Sequence, residues 1–461
     1  MNGRGFFTAL VLACTLSLVP DAAPALADGM RTGSDLHVAQ TLGERELTVV
    51  IRRVEPVPGP LRVEVVTHAG TAPGTLGLRA TASSGGATPS TTSVVLGAAP
   101  GSYPATLAVD EPGPWELAID DGQRVARIPF IVPAWVVSPW EKVSYGGFVA
   151  AGALLLVALA TAIRAKRGWV ALVPAAGMVA AVSVGVTAAL LSASTPLPPQ
   201  PGTQLDPTPG NVTDPYSTPS IVDYSRPPVN FVVTVGAGAE LDLTFADAAT
   251  GCPVDDLLIH DNALVHLVIV GPSGELWHLH PVRVGPGAYQ VPLNAPEPGV
   301  YAVSAEIARR GGGVQLLRST VDLRPGGQAT PTTAGTVRAT VAGAGSPSAI
   351  TARFGDTADL QPWLGMLGHL IIVGPLPAGT NLGAAAYSAP VWAHAHAMLP
   401  PAPGSVGGQP DETVAGYGPD VLFTYTFPAP GHYHLWVQAE RGYQVLTAAT
   451  TVDVPAKGAG G

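Results

Sequence analysis

His266-Leu267-Val268-Ile269-Val270-Gly271-Pro272 recurs later in the chain as His369-Leu370-Ile371-Ile372-Val373-Gly374-Pro375, with a single position changed. Each copy is a short β-branched run closed by Gly-Pro, which reads as a strand ended by a turn. The register extends upstream without a gap and sets Asp256-Leu257 against Asp359-Leu360. Downstream, Trp277-His278-Leu279-His280 corresponds to Ala393-His394-Ala395-His396 once an insertion from about Leu376 to Pro390 is allowed. Self-similarity at this scale means a duplicated domain. The two copies are expected over 229–323 and 337–455, divided by a linker at 324–336 and followed by a short tail at 456–461.

A shorter signature reaches back to the first part of the chain. Pro112-Gly113-Pro114-Trp115-Glu116-Leu117, Pro298-Gly299-Val300-Tyr301-Ala302-Val303 and Pro430-Gly431-His432-Tyr433-His434-Leu435 are each a turn feeding an alternating strand. Residues 28–135 also alternate at Leu61, Val63 and Val65, and at Trp115, Leu117 and Ile119 before the turn Asp120-Asp121-Gly122. With 55 Gly and 47 Pro in 461 residues, and only 12% charged residues, the composition fits many short strands and turns. The expected fold class is mainly β: three antiparallel β-sandwich domains.

Between the first domain and the repeats lie two uncharged stretches, Val143 to Ile163 and Trp169 to Ala193, each long enough to span a bilayer as a helix. The intervening Arg164-Ala165-Lys166-Arg167-Gly168 is a positive loop of the kind retained in the cytoplasm. Trp135, Trp140, Tyr145 and Trp169 fall where interfacial rings belong. Residues 1–27 read as a signal peptide, from Arg4, the apolar run Phe6 to Val19 and the cleavage site Ala25-Leu26-Ala27. The competing reading is lipoprotein processing at Val11-Leu12-Ala13-Cys14. Together these features predict a two-pass protein of the plasma membrane, with the lipid bilayer as a partner and both terminal parts outside the cytoplasm. Pro174 is a candidate kink, and residues 194–228 form a Pro-rich, extended spacer.

Other function classes recede on the same sequence. The 23 basic residues form no cluster beyond the loop at 164–168, so nucleic acid is not an expected partner. Cys14 and Cys252 are the only cysteines and offer no disulfide framework. A blue-copper centre needs a Cys beside His and Met, and Cys252 has no such company. No nucleophile elbow, phosphate loop or metalloprotease helix is present, and the chain is expected not to be an enzyme.

Chemistry concentrates in the histidines, nine of eleven of which lie in the repeats. Residues i and i+2 of a strand share a face about 6.5–7 Å apart, so His278 with His280, His394 with His396 and His432 with His434 form three same-face pairs. Two imidazoles so placed reach one metal ion. In the third module the candidate ligands are His369, His394, His396, His432 and His434, with the thioethers of Met366 and Met398, a mixture that suits copper; zinc is the other candidate. In the second module His260, His266, His278 and His280 make the weaker set, without methionine. The competing view is a cell-surface structural or interaction protein whose histidines are scaffolding or respond to pH.

The Pro-Gly-x-aromatic-x-aliphatic strands resemble the immunoglobulin-like modules of bacterial copper handling, of the CopC, YtkA and FixH kinds. The repeats are similar to secreted modules with His-Leu-x-x-x followed by aromatic-x-His-x-His, here His266 to Val270 with Trp277 to His280, and His369 to Val373 with Trp392 to His396. The resemblance implies immunoglobulin-like sandwiches that bind copper for resistance, storage or delivery to a copper-dependent oxidase or another metal-handling protein. CopC-type proteins place a histidine at the mature amino terminus; the expected start at Asp28 offers none.

Overall fold

The computed structural model describes residues 35–457 apart from 53–56, 86–87, 218–225, 238–239, 294, 325–333, 378 and 400–409. The expected signal peptide and most of the second linker lie outside the described residues. The chain divides into two compact units, one containing Trp135–Leu197 and the other Gly33–Ala134 with Pro198–Gly461.

The first unit is a helical hairpin, Pro139–Arg164 and Leu172–Ser194, the latter preceded by the 3-10 turn Gly168–Ala171. Both helices are long and apolar enough to cross a membrane. Ser138 caps the first by accepting from Glu141 N, with Pro139 in the first turn, where a missing N–H costs nothing. Pro174 sits in the first turn of the second helix, where its missing N–H likewise has no intrahelical partner to lose. The helices meet through small residues: Ser144, Gly147 and Ala151 against Gly185 and Ala188. A Cβ on Gly147 would lie 2.8 Å from Gly185 Cα, and Ser144 Oγ donates to the Gly185 carbonyl at 3.0 Å. Close backbone contact of this kind is the usual way to join helices that gain nothing from hydrophobic exclusion in lipid.

The second unit is mainly β, with six antiparallel sheets among the described residues. Three apolar clusters fill the space between them in successive stretches of chain, around Trp115, around Tyr301 and around Tyr433. The duplication is visible in the topology. One sheet of the second module runs Leu257–Leu258, Gly299–Arg309, His266–Val270, Leu276–Leu279, with Gly313–Leu323 also on Gly299–Arg309. Its counterpart runs Leu360–Gln361, Gly431–Arg441, Met366–Gly374, Val391–Met398, with Gln444–Val454 on Gly431–Arg441. The ion pair Arg309–Asp256 is repeated as Arg441–Asp359.

His266–Val270 is buried at every position, on both faces of its sheet. Leu267 and Ile269 enter the module's own core, while Val268 and Val270 enter a separate cluster with Ile371, Val373, Trp392 and Trp436 of the third module. Each large side chain in that inter-repeat cluster contributes roughly 1.5–3 kcal/mol by leaving water. The insertion of the third module supplies the helix Leu382–Ser388, whose Leu382 and Ala386 complete the cluster. This contact face brings the two sets of histidines together.

Part of the expected spacer is ordered. The short helix Pro209–Thr213 buries Val212, and Asp206 pairs with Arg310 of the second module, so this stretch is tied to the β unit rather than only extended.

Candidate metal centre

Six histidines meet where the repeats face each other: His266, His278 and His280 from the second module, and His369, His394 and His396 from the third. Imidazole centroids lie 4.9 Å apart for His278–His394, 5.3 Å for His266–His394 and 5.3 Å for His278–His369, all pairs that cross between repeats. His369, His394 and His396 form one group able to hold an ion, and His266, His278 and His394 form another. The closest nitrogens are His266 Nδ1 to His278 Nε2 at 3.2 Å, His369 Nδ1 to His394 Nε2 at 3.2 Å, and His394 Nε2 to His396 Nε2 at 3.3 Å. Two nitrogens on one tetrahedral ion, each about 2.05 Å from it, would be about 3.3 Å apart.

A repeated turn fixes the inner orientation of one histidine in each module. Asp261 and Asn262, and likewise Leu364 and Gly365, occupy the left-handed region in succession, which makes tight primed turns closed by the bridges His260–Ala263 and Trp363–Met366. Each turn presents a carbonyl six residues before the strand histidine. His266 Nε2 donates to His260 O at 3.0 Å, and His369 Nε2 donates to Trp363 O at 3.2 Å. In neutral imidazole the other nitrogen is then a lone pair, and in both cases Nδ1 points to the partner histidine.

The remaining outward nitrogens also face oxygen. His278 Nδ1 donates to Gln438 Oε1 at 3.2 Å, and the amide is oriented by its own donation to Thr447 Oγ1. His280 Nδ1 donates to Glu46 Oε1 at 2.7 Å. His394 Nδ1 faces Glu306 Oε2 at 3.5 Å and His396 Nδ1 faces Asp261 Oδ2 at 3.4 Å, distances too long for well-made bonds but with a carboxylate as the neighbour. With the protons of His266, His278, His280 and His369 directed outward, the inward nitrogens of these four rings are lone pairs; His280 Nε2 and His394 Nδ1 are buried without a hydrogen-bond partner. Lone pairs crowded in this way repel unless a cation lies between them, and metal-bound histidines commonly direct the other N–H to a carboxylate or carbonyl.

Burial holds His266, His278 and His369 well below the ordinary imidazole value, and repulsion from His394 adds to it. His396 is lowered to about 4, by burial first and then by His394. Burial works against the charge of Glu306, yet His260 and His394 beside it hold its carboxyl well below the usual range. His266, His278, His369 and His396 are therefore held toward the neutral form, with Glu306 as an anion beside them. A cavity of about 10 Å³, the room of one water, lies next to it, lined by His266, Ser304, Glu306 and His394 among others.

Among the residues singled out from sequence, His266, His278, His280, His369, His394 and His396 converge. His432 and His434 do not: their rings lie beside each other, 5.3 Å apart, with His432 Nδ1 on Asp453 Oδ1 at the surface and His434 stacked on Trp436. They belong to the end of Gly431–Arg441 remote from Gln438, about 20 Å along the strand from His432. Met398 is 69% exposed, so its side chain leaves the buried centre, while Met366 is buried behind the Trp363 turn. His260 supplies its carbonyl and groups with Asp261 and Glu306 at the rim. Sequence reading missed Glu46, Asp261, Glu306, Gln438 and Trp363, whose ring lies 4.7 Å from His369 and 5.2 Å from His278. The second module contributes as fully as the third.

Residues 319–456 match a family described only as a domain of unknown function, DUF8832. No curated protein matches the chain. Among solved structures, the tetra-tandem repeat in the extending region of a large adhesion protein is 12% identical, covering 91% of this chain and 82% of that one at TM-score 0.16. Salmonella alpha-2-macroglobulin reacted with methylamine is 9% identical over 93% of this chain and 24% of its own, at TM-score 0.18. Dimeric latent PorU from Porphyromonas gingivalis is 9% identical over 91% and 34%, at TM-score 0.16. Superpositions this loose carry no argument about fold or function.

Proposed function

We propose that this chain is a membrane-anchored, extracytoplasmic metal-binding protein that holds a divalent transition-metal ion between its two repeats without catalysing a reaction. The observation that carries the reading is the cluster of six histidines, five of which bring ring nitrogens within 3.2–3.3 Å of a neighbour's and form two three-histidine groups able to hold an ion. An all-imidazole donor set suits copper, zinc and nickel. Copper(II) stands highest in affinity for such ligands among the divalent ions, so copper is the ion we assign, with zinc as its competitor. Resistance, storage, and delivery to an oxidase or another metal-handling protein would all use such a site.

Placement outside the cytoplasm rests on the loop charge and on one property of the β unit. Residues on either side of the apolar hairpin, Gly33–Ala134 and Pro198–Gly461, pack into a single unit. That requires both to lie on the same side of a membrane, as two crossings provide. The positive loop at 164–168, of the kind retained in the cytoplasm, supports the exterior as that side.

A scaffolding role draws support from the carbonyl bonds of His266 and His369, which buried histidines make without any metal. Copper(II) titration of the full chain in detergent separates the readings, compared with the double variant His394→Ala, His396→Ala. Copper that stays with the wild type through desalting and is lost from the variant supports the centre; equal retention by both removes it.

A further inference from the structure

Resting on the metal reading, we infer that the amino-terminal domain is a working part of the centre and that Glu46 is its positioning residue, aiming His280 at the ion. Among the described residues, the partner of His280 Nδ1 comes from outside the repeats. The third module turns the equivalent nitrogen of His396 toward Asp261, a residue of the second module. For His280 the acceptor comes from far away in sequence, across the apolar hairpin: Glu46 Oε1, at 2.7 Å.

The surroundings of Glu46 are built to hold it there. Its other oxygen accepts from Thr41 Oγ1 at 2.6 Å, and the same Thr41 hydroxyl accepts from the backbone N–H of His280 at 2.8 Å. Thr41 N in turn donates to the His280 carbonyl at 2.7 Å, so one threonine brackets the backbone of the histidine while orienting the carboxylate that meets its ring. One step along the same strand, Ala39 N donates to the carbonyl of Asn262, in the turn that carries Asp261. The strand Leu36–Leu42 thus bonds to two segments of the second module at the centre, the Asp261 turn and the segment carrying His280. Nδ1 donates to Glu46, and His280 Nε2 is buried and unpartnered on a ring whose centroid lies 5.3 Å from that of His266 and 5.0 Å from that of His278. A carboxylate on the far nitrogen also makes an imidazole a better donor to metal.

The test uses the full chain in detergent, with Co(II) as a visible-absorbing probe and Cu(II) in parallel, on wild type, Glu46→Ala and Glu46→Gln. Glutamine keeps an oxygen that accepts from Nδ1 but removes the charge. The expected result is a Kd raised about 10–100-fold in Glu46→Ala, a changed Co(II) ligand-field spectrum, and partial recovery of both in Glu46→Gln. Wild-type spectra with Kd within twofold in both variants overturn the role of Glu46 and leave the metal centre standing. Equal weakening in both variants with an unchanged spectrum assigns Glu46 to domain packing alone and equally overturns it. A wild type that takes up neither ion removes the metal reading itself, and this inference with it.

Discussion

Glu306 and Gln438 occupy the same position in the two repeats, opposite His266 and His369, and each is met by a histidine of the other repeat. His394 faces Glu306, and His278 donates to Gln438. The centre is therefore assembled by exchange: neither repeat orients its own middle histidine. Replacing Glu306 with Ala removes the carboxylate that faces His394 Nδ1 and should weaken copper binding about 10–100-fold, measured by equilibrium dialysis. Unchanged affinity would show that the exchange is packing only.

The surface pair supplies the matching control. His432 is held by Asp453, and His434 stacks on Trp436, remote from the six converging imidazoles. The double variant His432→Ala, His434→Ala should keep the wild-type stoichiometry and a copper Kd within about twofold; loss of a tightly bound ion from this variant would relocate the site.

The identity of the clustering histidines was legible because alternation in a strand fixes a face: His278 with His280 and His394 with His396 follow from period two alone. The same rule also selected His432 and His434, because parity cannot say which end of a strand meets a partner. The contact between repeats was written in the run His266–Val270, where apolar residues at both parities demand cover on both faces. Reading that run only as a strand left its outer cover unassigned. Glu46 had no such signal; a lone carboxylate in a strand looks like a solvated residue until the fold brings His280 to it. The Asp261 turn was equally hidden, since its conformation depends on backbone dihedrals that no periodicity records.

Docking of the inserted helix onto the second module can be challenged directly. A Cβ at Gly383 would lie 2.1 Å from the Val300 carbonyl oxygen and 3.2 Å from that of Val270. Gly383→Ala therefore forces the helix Leu382–Ser388 off its seat, with an expected cost of about 1–3 kcal/mol, the range for overpacking. Thermal unfolding should register it, together with weaker copper retention because the two halves of the centre separate. A variant with the wild-type melting temperature would mean that the helix docks by a different contact.

Acid should destabilise the metal-free chain. His266, His278 and His369 are buried with values well below that of the unfolded chain, about 6.5. Their contribution is fully present above that value and is lost as pH falls, because only the unfolded chain takes up the protons. Each such group adds a slope approaching about 1.4 kcal/mol per pH unit below pH 6, His396 acts in the same sense, and Glu412, a buried acid raised to about 7, opposes them with one proton. Denaturant unfolding at pH 7, 6 and 5 measures it. Bound metal holds the same nitrogens deprotonated, so copper should move the loss to lower pH. A metal-free chain equally stable at pH 5 and 7 would contradict the buried neutral imidazoles.

Alkali should act at another junction, where the amino-terminal domain meets the third module through His68 and Glu440, with Glu412 nearby. Burial opposes the charge of His68, but Glu440 raises it to about 9; burial raises Glu412 to about 7. His68 is a cation whose folded value exceeds its unfolded one, so its contribution is complete below about pH 6.5 and disappears as pH rises through 9. Glu412 is an acid shifted upward, so the unfolded chain releases its proton first and stability falls between about pH 4.5 and 7. Above pH 7 the His68 contribution is still being lost, and it should make stability of the metal-free chain decline toward pH 9 with a slope approaching about 1.4 kcal/mol per pH unit. His68→Ala should flatten that decline, at the cost of leaving Glu440 buried and unpaired. Glu412→Gln should instead gain on the wild type between pH 5 and 7 and run parallel to it above. Parallel curves for Glu412→Gln throughout would place the Glu412 carboxyl in water rather than in this junction.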